Sequence, residues 1–146
     1  MTHENTSSAR AGSKPDSGGN TSAAVDYTVM RGGVRYAGVH LIIDLFGGER
    51  LNDLLYIEQT LRACVDAAGA TLLHIHLHPF EPNGVSGVAV LAESHISVHT
   101  WPDDRYAAFD VFMCGDTRPE RCADILKAAF KPERIDVTEL LRGKDL

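Results

Sequence analysis

Apolar and polar residues alternate along several stretches of this chain and switch to helical spacing along another. In RYAGVHLIIDL (35–45), Ala37, Val39, Leu41, Ile43 and Leu45 fall on one face of an extended strand. Over residues 51–68 the spacing changes, and Leu54, Ile57, Leu61, Val65 and Ala68 make a stripe along one side of a helix, with Gly69 placed to stop it. TLLHIHLHPF (71–80), SHISVHT (94–100) and RYAAFDVFMC (105–114) alternate again, while GVSGVAVLA (84–92) is apolar on both faces, as a central strand would be. Thr117, followed by Glu120, predicts a capping box that opens a second helix reaching about Phe130. RIDVTEL (134–140) then closes the domain as a strand.

The non-apolar faces carry the chemistry. They collect His40 and Asp44 from the first strand, His74, His76 and His78 from the second, His95, Ser97 and His99 from 94–100, and Tyr106, Asp110 and Cys114 from 105–114. Two helices can cover only one side of such a sheet. The predicted fold is therefore α+β, a two-layer α/β sandwich whose mainly antiparallel sheet has two helices on one face. The uncovered face must meet water, a partner subunit or a substrate, and it is the candidate functional face.

Composition narrows the classes. The chain has 146 residues, enough for one domain, and 44% of them are hydrophobic. No apolar run approaches the roughly 20 residues of a membrane span, and the N-terminus lacks a basic-then-apolar secretory pattern. The net charge of −6, without a basic cluster, argues against nucleic acid as a partner. Three cysteines, Cys64, Cys114 and Cys122, with no paired spacing point to a reducing cytoplasm rather than a disulfide framework. Residues 1–25, rich in Ser, Thr, Gly and Asn, read as a disordered tail ahead of a single domain over 26–146.

Three chemistries compete for the polar face. His74, His76 and His78 project to one side and could offer metal ligands, but no carboxylate or Cys lies at a matching short spacing and Pro79 follows directly; the reading carried forward has no metal. Cys114 with His99 could form a thiol–imidazole pair, yet no nucleophile-elbow pattern is present, and GVSGV around Ser86 has the wrong spacing for one. The third reading comes from LAESHISVHTWPDDRYAAFDVFMCGD (91–116). It resembles the prokaryotic S-adenosylmethionine decarboxylase proenzymes, with their E-S-H-[IL]-[ST]-[IV]-H-T-W-P block followed by Y-A-A-x-D-V-F/Y-x-C-G. The resemblance extends upstream through GVSGVAVLAESH, H-I-H-x-H-x-F and YAGVHLIIDLFG, and so covers nearly the whole chain after the tail.

That resemblance implies a chain that cuts itself between Glu93 and Ser94 into a β chain (1–93) and an α chain (94–146). The Ser94 hydroxyl would attack the Glu93 carbonyl, and β-elimination followed by hydrolysis would leave Ser94 as a covalent pyruvoyl cofactor. His99 matches the proton acceptor in processing, and Ser86 matches the residue that assists the rearrangement. In turnover the pyruvoyl group would form a Schiff base with the substrate amine and act as the electron sink. Cys114 matches the proton donor that returns a proton to the substrate carbon. Cys64 and Cys122 fall on helices and read as structural.

The implied substrate is S-adenosylmethionine, decarboxylated to the aminopropyl donor for spermidine synthesis, with Phe80 and Trp101 as aromatic contacts and Asp103 as the ribose contact. Asp103 stands where relatives commonly carry Glu, one methylene longer, which keeps open a paralogue acting on arginine or ornithine. An unprocessed metal- or ligand-binding homologue is a further alternative. The resemblance also implies a dimer of αβ protomers, a heterotetramer, with a site shared between them. Ser94 and His99 are five residues apart, so an unbroken strand would send them to opposite faces; a bend at Glu93–Ser94 is the expected remedy.

Overall fold

The computed structural model describes residues 28–146, so the predicted N-terminal tail lies outside the described residues. A small ribbon of β1 (Val29–Arg31) and β2 (Val34–Tyr36) precedes the long strand β3 (Gly38–Phe46). Then come α1 (Leu54–Ala68), β4 (Leu72–Pro79), β5 (Val85–Leu91), β6 (Ser94–Trp101) and a one-turn 3-10 helix (Pro102–Asp104). β7 (Tyr106–Met113), α2 (Glu120–Phe130) and β8 (Arg134–Arg142) complete the chain. One six-stranded antiparallel sheet runs in the order β4-β5-β6-β7-β3-β8. The stretch predicted as one strand from Arg35 thus breaks at Ala37 into β2 and β3.

The alternation sorts the faces as expected. Val39, Leu41, Ile43 and Leu45 of β3, Ile96 and Val98 of β6, and Phe109, Val111 and Met113 of β7 are all buried under the two helices. Ile57, Leu61, Cys64, Val65 and Ala68 of α1 meet Cys122, Leu126 and Phe130 of α2 over that layer. Leu54, assigned to the buried stripe from its spacing, is instead half-exposed at the first turn. Asp53 caps α1 by accepting from the Tyr56 amide at 3.1 Å, and Gly69 stops it in the left-handed conformation (φ 72°), which glycine adopts without a Cβ penalty.

Two local expectations fail for local reasons. Thr117 does not cap α2; its hydroxyl donates to the Cys114 carbonyl at 2.9 Å, and the helix starts behind Pro119 without a side-chain cap. The Leu73–Ile75–Leu77 face of β4 is broken because the register shifts between Leu72 and His74, which leaves Leu73 exposed. Gly87 lets β5 lie against β4 here, since a Cβ on it would sit 2.3 Å from the His76 carbonyl oxygen. β5, apolar on both faces, lies between two strands as predicted, but one of its faces is open and Val90 is exposed there.

Candidate active site

The residues singled out from the sequence divide between the two ends of β6. At its start, Leu91 of β5 pairs with Ser94, so Ala92 and Glu93 form a two-residue turn, with Glu93 held at φ 61°. The left-handed region costs a non-glycine residue roughly 1–2 kcal/mol. Cys114, one residue beyond the end of β7, donates its S–H to the Glu93 carbonyl oxygen at 3.0 Å and lies 3.8 Å from the Ser94 hydroxyl. The Ser94 side chain is buried on the helix-facing side. An open cavity lined by Gly69, Thr71, Ala92, Cys114 and Asp116 reaches the thiol there.

At the far end, Ser86 of β5 pairs across to His99, and their side chains meet at 2.8 Å (Oγ to Nδ1) on the open face. Trp101 follows on the same face, 46% exposed, stacked on Tyr106 with ring centroids 5.2 Å apart. Phe46 continues the ladder at 5.3 Å from Tyr106, and the Arg134 guanidinium lies 4.1 Å over Phe46. Asp103, in the one-turn helix, accepts from the Asn83 amide at 3.0 Å, and Phe80 stands exposed at the start of the neighbouring β4–β5 loop. Phe80, Ser86, His99, Trp101 and Asp103 therefore share one end of the sheet; Glu93, Ser94 and Cys114 share the other. Five residue steps along the strand separate Ser94 from His99, about 17 Å.

The expected bend at Glu93–Ser94 does not reconcile their faces. The turn lies at Ala92–Glu93, and β6 runs unbroken from Ser94 to Trp101, so Ser94 faces the helices while His99 faces the open side. Nor do Cys114 and His99 meet: β6 and β7 do pair, but antiparallel, with His99 opposite Ala108.

Between the two ends lies a cluster that spacing alone did not reveal. Asp110 accepts from His40 Nε2 at 2.5 Å and from His95 Nε2 at 3.0 Å on one oxygen, and from the Ser97 hydroxyl on the other. Arginine only donates, so the 3.0 Å contact from Arg142 to His40 Nδ1 makes that nitrogen the acceptor and leaves the proton of a neutral His40 on Nε2. Burial pushes the Asp110 carboxyl up, but the hydrogen bonds from Ser97, His40 and His95 outweigh it and hold it below the usual carboxylate range. The donor atoms of His40, His95 and Asp110 lie within 4.8 Å of one another, as a metal site would need. Arg142, however, keeps a proton on the nitrogen that would have to bind the ion. His40, His95 and Asp110 were all assigned to the polar face from parity; which of them touch depends on strand order. His74, His76 and His78 project from the edge strand, exposed, and none joins this cluster.

Elsewhere on the open face Tyr106 donates to Asp44 at 2.6 Å, and that hydrogen bond, with burial and the nearby charge, pushes the phenol up to about 12. Cys64 and Cys122 each donate to the other's carbonyl, at 3.8 and 3.7 Å, in the packing between α1 and α2. The Cys122 hydrogen bond and burial raise the Cys64 pKa strongly, which keeps the thiol protonated and inert.

Comparison with known proteins decides the lineage. The family described as S-adenosylmethionine decarboxylase matches residues 39–143, which is 105 of the 146 positions. The chain belongs to the S-adenosylmethionine decarboxylase family. The S-adenosylmethionine decarboxylase proenzyme of Thermomicrobium roseum is 45% identical over 108 residues, covering 73% of this chain and 93% of the relative. The proenzyme of Methanococcus maripaludis is 48% identical over 113 residues, covering 75% and 93%. Among solved structures, the adenosylmethionine decarboxylase of Aquifex aeolicus superposes with a TM-score of 0.67 at 34% identity, covering 73% of this chain and 90% of that one. Both ends of β6 and the Asp110 cluster fall inside the matched family segment. No helix among the described residues is long and apolar enough to cross a membrane.

Proposed function

We propose that this protein is a pyruvoyl-dependent S-adenosylmethionine decarboxylase that matures by cutting its own chain between Glu93 and Ser94. One observation carries the reading. The Glu93 carbonyl sits in a left-handed turn, polarised by the Cys114 thiol at 3.0 Å, with the Ser94 hydroxyl beside that thiol. Attack by Ser94 on this carbonyl turns its oxygen into an oxyanion, which the S–H is already placed to stabilise. Opening the turn also releases the backbone strain at Glu93.

The chemistry of the surroundings fits a pyruvoyl group at residue 94. The position is enclosed and has a thiol in reach, and that thiol's residue, Cys114, lines an open cavity. Such a group supplies a carbonyl that takes a substrate amine and accepts the electron pair left when carbon dioxide departs. Cys114 is the side chain placed to return a proton to the substrate carbon.

His99 is the base for the Cα proton of Ser94, with Ser86 orienting its imidazole, but within one chain it lies about 17 Å away, too far to reach that proton. A second copy resolves the distance. The open face mixes Asp44, Asp110 and His99 with exposed Ile42, Val90 and Leu140, a composition suited to a subunit interface. Two-fold packing of that face about an axis running across the strands would bring the Ser94 end of each copy over the His99 end of the other. The hydroxymethyl group of Ser94 points to the helices, so its Cα hydrogen leans toward the face that carries the base. The assembly is then a dimer of αβ protomers, each a β chain 1–93 and an α chain 94–146. Phe80 and Trp101 would face the adenine and sulfonium, and Asp103, held by Asn83, the ribose. The product serves as an aminopropyl donor for spermidine. The three free thiols suit a reducing cytoplasm.

Mass spectrometry of the purified protein tests the processing. Two fragments divided after Glu93, with pyruvoyl at the start of the second, are expected; one intact chain of 15.9 kDa overturns the reading, as does a Ser94→Ala variant that still cleaves. Carbon dioxide release should follow S-adenosylmethionine. Release from arginine or ornithine instead would reassign the substrate and leave the cleavage standing.

A further inference from the structure

We propose that Asp110 is a positioning residue: by gripping His95 and Ser97 it holds residue 94 in register with Cys114 once the chain has been cut, and so governs which carbon receives the thiol's proton. The inference rests on Glu93–Ser94 being the cleavage junction.

Cleavage removes the Ala92–Glu93 turn and turns residue 94 into a chain end. On the β5 side it keeps one cross-strand partner, Leu91; on the β7 side pairing begins only at His95 opposite Phe112. Strand ends with so few partners fray. Cys114 hangs one residue past the end of β7. The distance between the two reacting positions therefore depends on how firmly the start of β6 is fastened to the end of β7.

Asp110 is that fastening. It stands opposite Ser97 in the β6–β7 register, and its carboxylate takes the Ser97 hydroxyl on one oxygen and His95 on the other. It is anchored in turn by His40 of β3, and His40 by Arg142 of β8. The start of the α chain is thereby tied across β7 to two further strands. All of this lies on the face opposite the Ser94 side chain, so the network can hold the backbone without touching the reacting atoms. An amide at position 110 has the same shape but only one acceptor oxygen, which cannot serve both the hydroxyl on one side and the two imidazoles on the other.

The consequence is chemical. Loss of carbon dioxide leaves an electron pair that takes up one proton. Delivered to the substrate carbon, that proton lets the product amine leave on hydrolysis, with water restoring the carbonyl at residue 94. Delivered to the carbon of residue 94, it leaves the substrate's nitrogen there, converting the position to alanine, while the rest of the substrate departs as an aldehyde carrying oxygen from water. The second outcome ends the enzyme's life.

The test compares cleaved wild type, Asp110→Asn and Ser97→Ala as full assemblies. The readouts are kcat, KM, the mass of the α-chain N-terminus after equal turnover, and amide exchange over residues 95–98. In Asp110→Asn we expect the alanine-terminated fraction per turnover to rise about tenfold, kcat to fall about ten- to a hundredfold with KM within about twofold, and exchange over 95–98 to quicken. Ser97→Ala, which keeps both histidine contacts, should move each readout the same way by less, and it carries the test alone if Asp110→Asn fails to assemble. An unchanged alanine fraction in a variant whose exchange has quickened overturns the proposal, and so does unchanged exchange. Wild type that does not cleave would sink the junction reading instead, so the two failures are distinguishable.

Discussion

The two ends of β6 are built from the same strand pair and do opposite things. The Ser94 end is a tight turn with a strained left-handed residue, a thiol on its carbonyl and a side chain packed toward the helices. The Ser86–His99 end lies flat on the open face, where an imidazole and a hydroxyl meet beside a ladder of exposed aromatic rings. On the proposed function, the first end supplies the nucleophile Ser94, the Glu93 carbonyl and the proton donor Cys114, with His99 about 17 Å away. The second holds a base and groups suited to an aromatic cation but nothing to cut. On the proposed function each would be half of a site, with the mixed surface between them covered by a second copy.

The strongest way to break this division is complementation. Ser94→Ala should abolish cleavage, and His99→Ala should slow it by about a hundredfold or more. Co-expressed, the pair should restore cutting of the His99→Ala chains, because the Ser94→Ala copy supplies the missing imidazole; absence of rescue on gels would place both residues' work within one chain. Gly87→Ala should damage one end selectively. Its Cβ would strike the His76 carbonyl, costing about 1–3 kcal/mol by thermal melting and disturbing Ser86 next to it, while the Cys114–Glu93 contact stays intact. Glu93→Gly should relieve the other end, stabilising the uncut precursor by about 1 kcal/mol and slowing its cleavage several-fold in a time course; faster cleavage would show that strain plays no part.

Smaller still are two pH effects. The Asp110 carboxyl is depressed in the folded protein, so its contribution is fully present above the usual carboxylate pKa and disappears as pH falls through the lower folded value. Denaturation of Asp110→Asn should lose that acid limb. Tyr106 is the reverse case: raised to about 12, it stabilises fully below its ordinary value of about 10 and loses that contribution between about 10 and 12. Tyr106→Phe should flatten the alkaline limb of denaturation, and a limb unchanged in the variant would remove the Asp44 hydrogen bond as its cause.

What the sequence determined by itself is parity and chemistry. Period-two alternation places His40, His95, His99 and Asp110 on one face and Val39, Ile96 and Phe109 on the other, because successive strand residues must point in opposite directions. Helical spacing finds α1, α2 is found from a capping box that the structure does not form, and the E-S-H block carries the family resemblance. Only the tertiary structure decided where along the sheet each group falls. Alternation carries no information about which strands are neighbours or how they are offset, and β6 and β7 run antiparallel, so residues close in sequence logic land at opposite ends. Cys114 is therefore delivered to Glu93 rather than to His99, His40 and His95 converge on one carboxylate from strands far apart in the chain, and Ser94 and His99 are kept apart by the length of a straight strand. Leu73 and Thr117 fail for a related reason: a register shift and a competing carbonyl, both supplied by neighbours, override a local pattern.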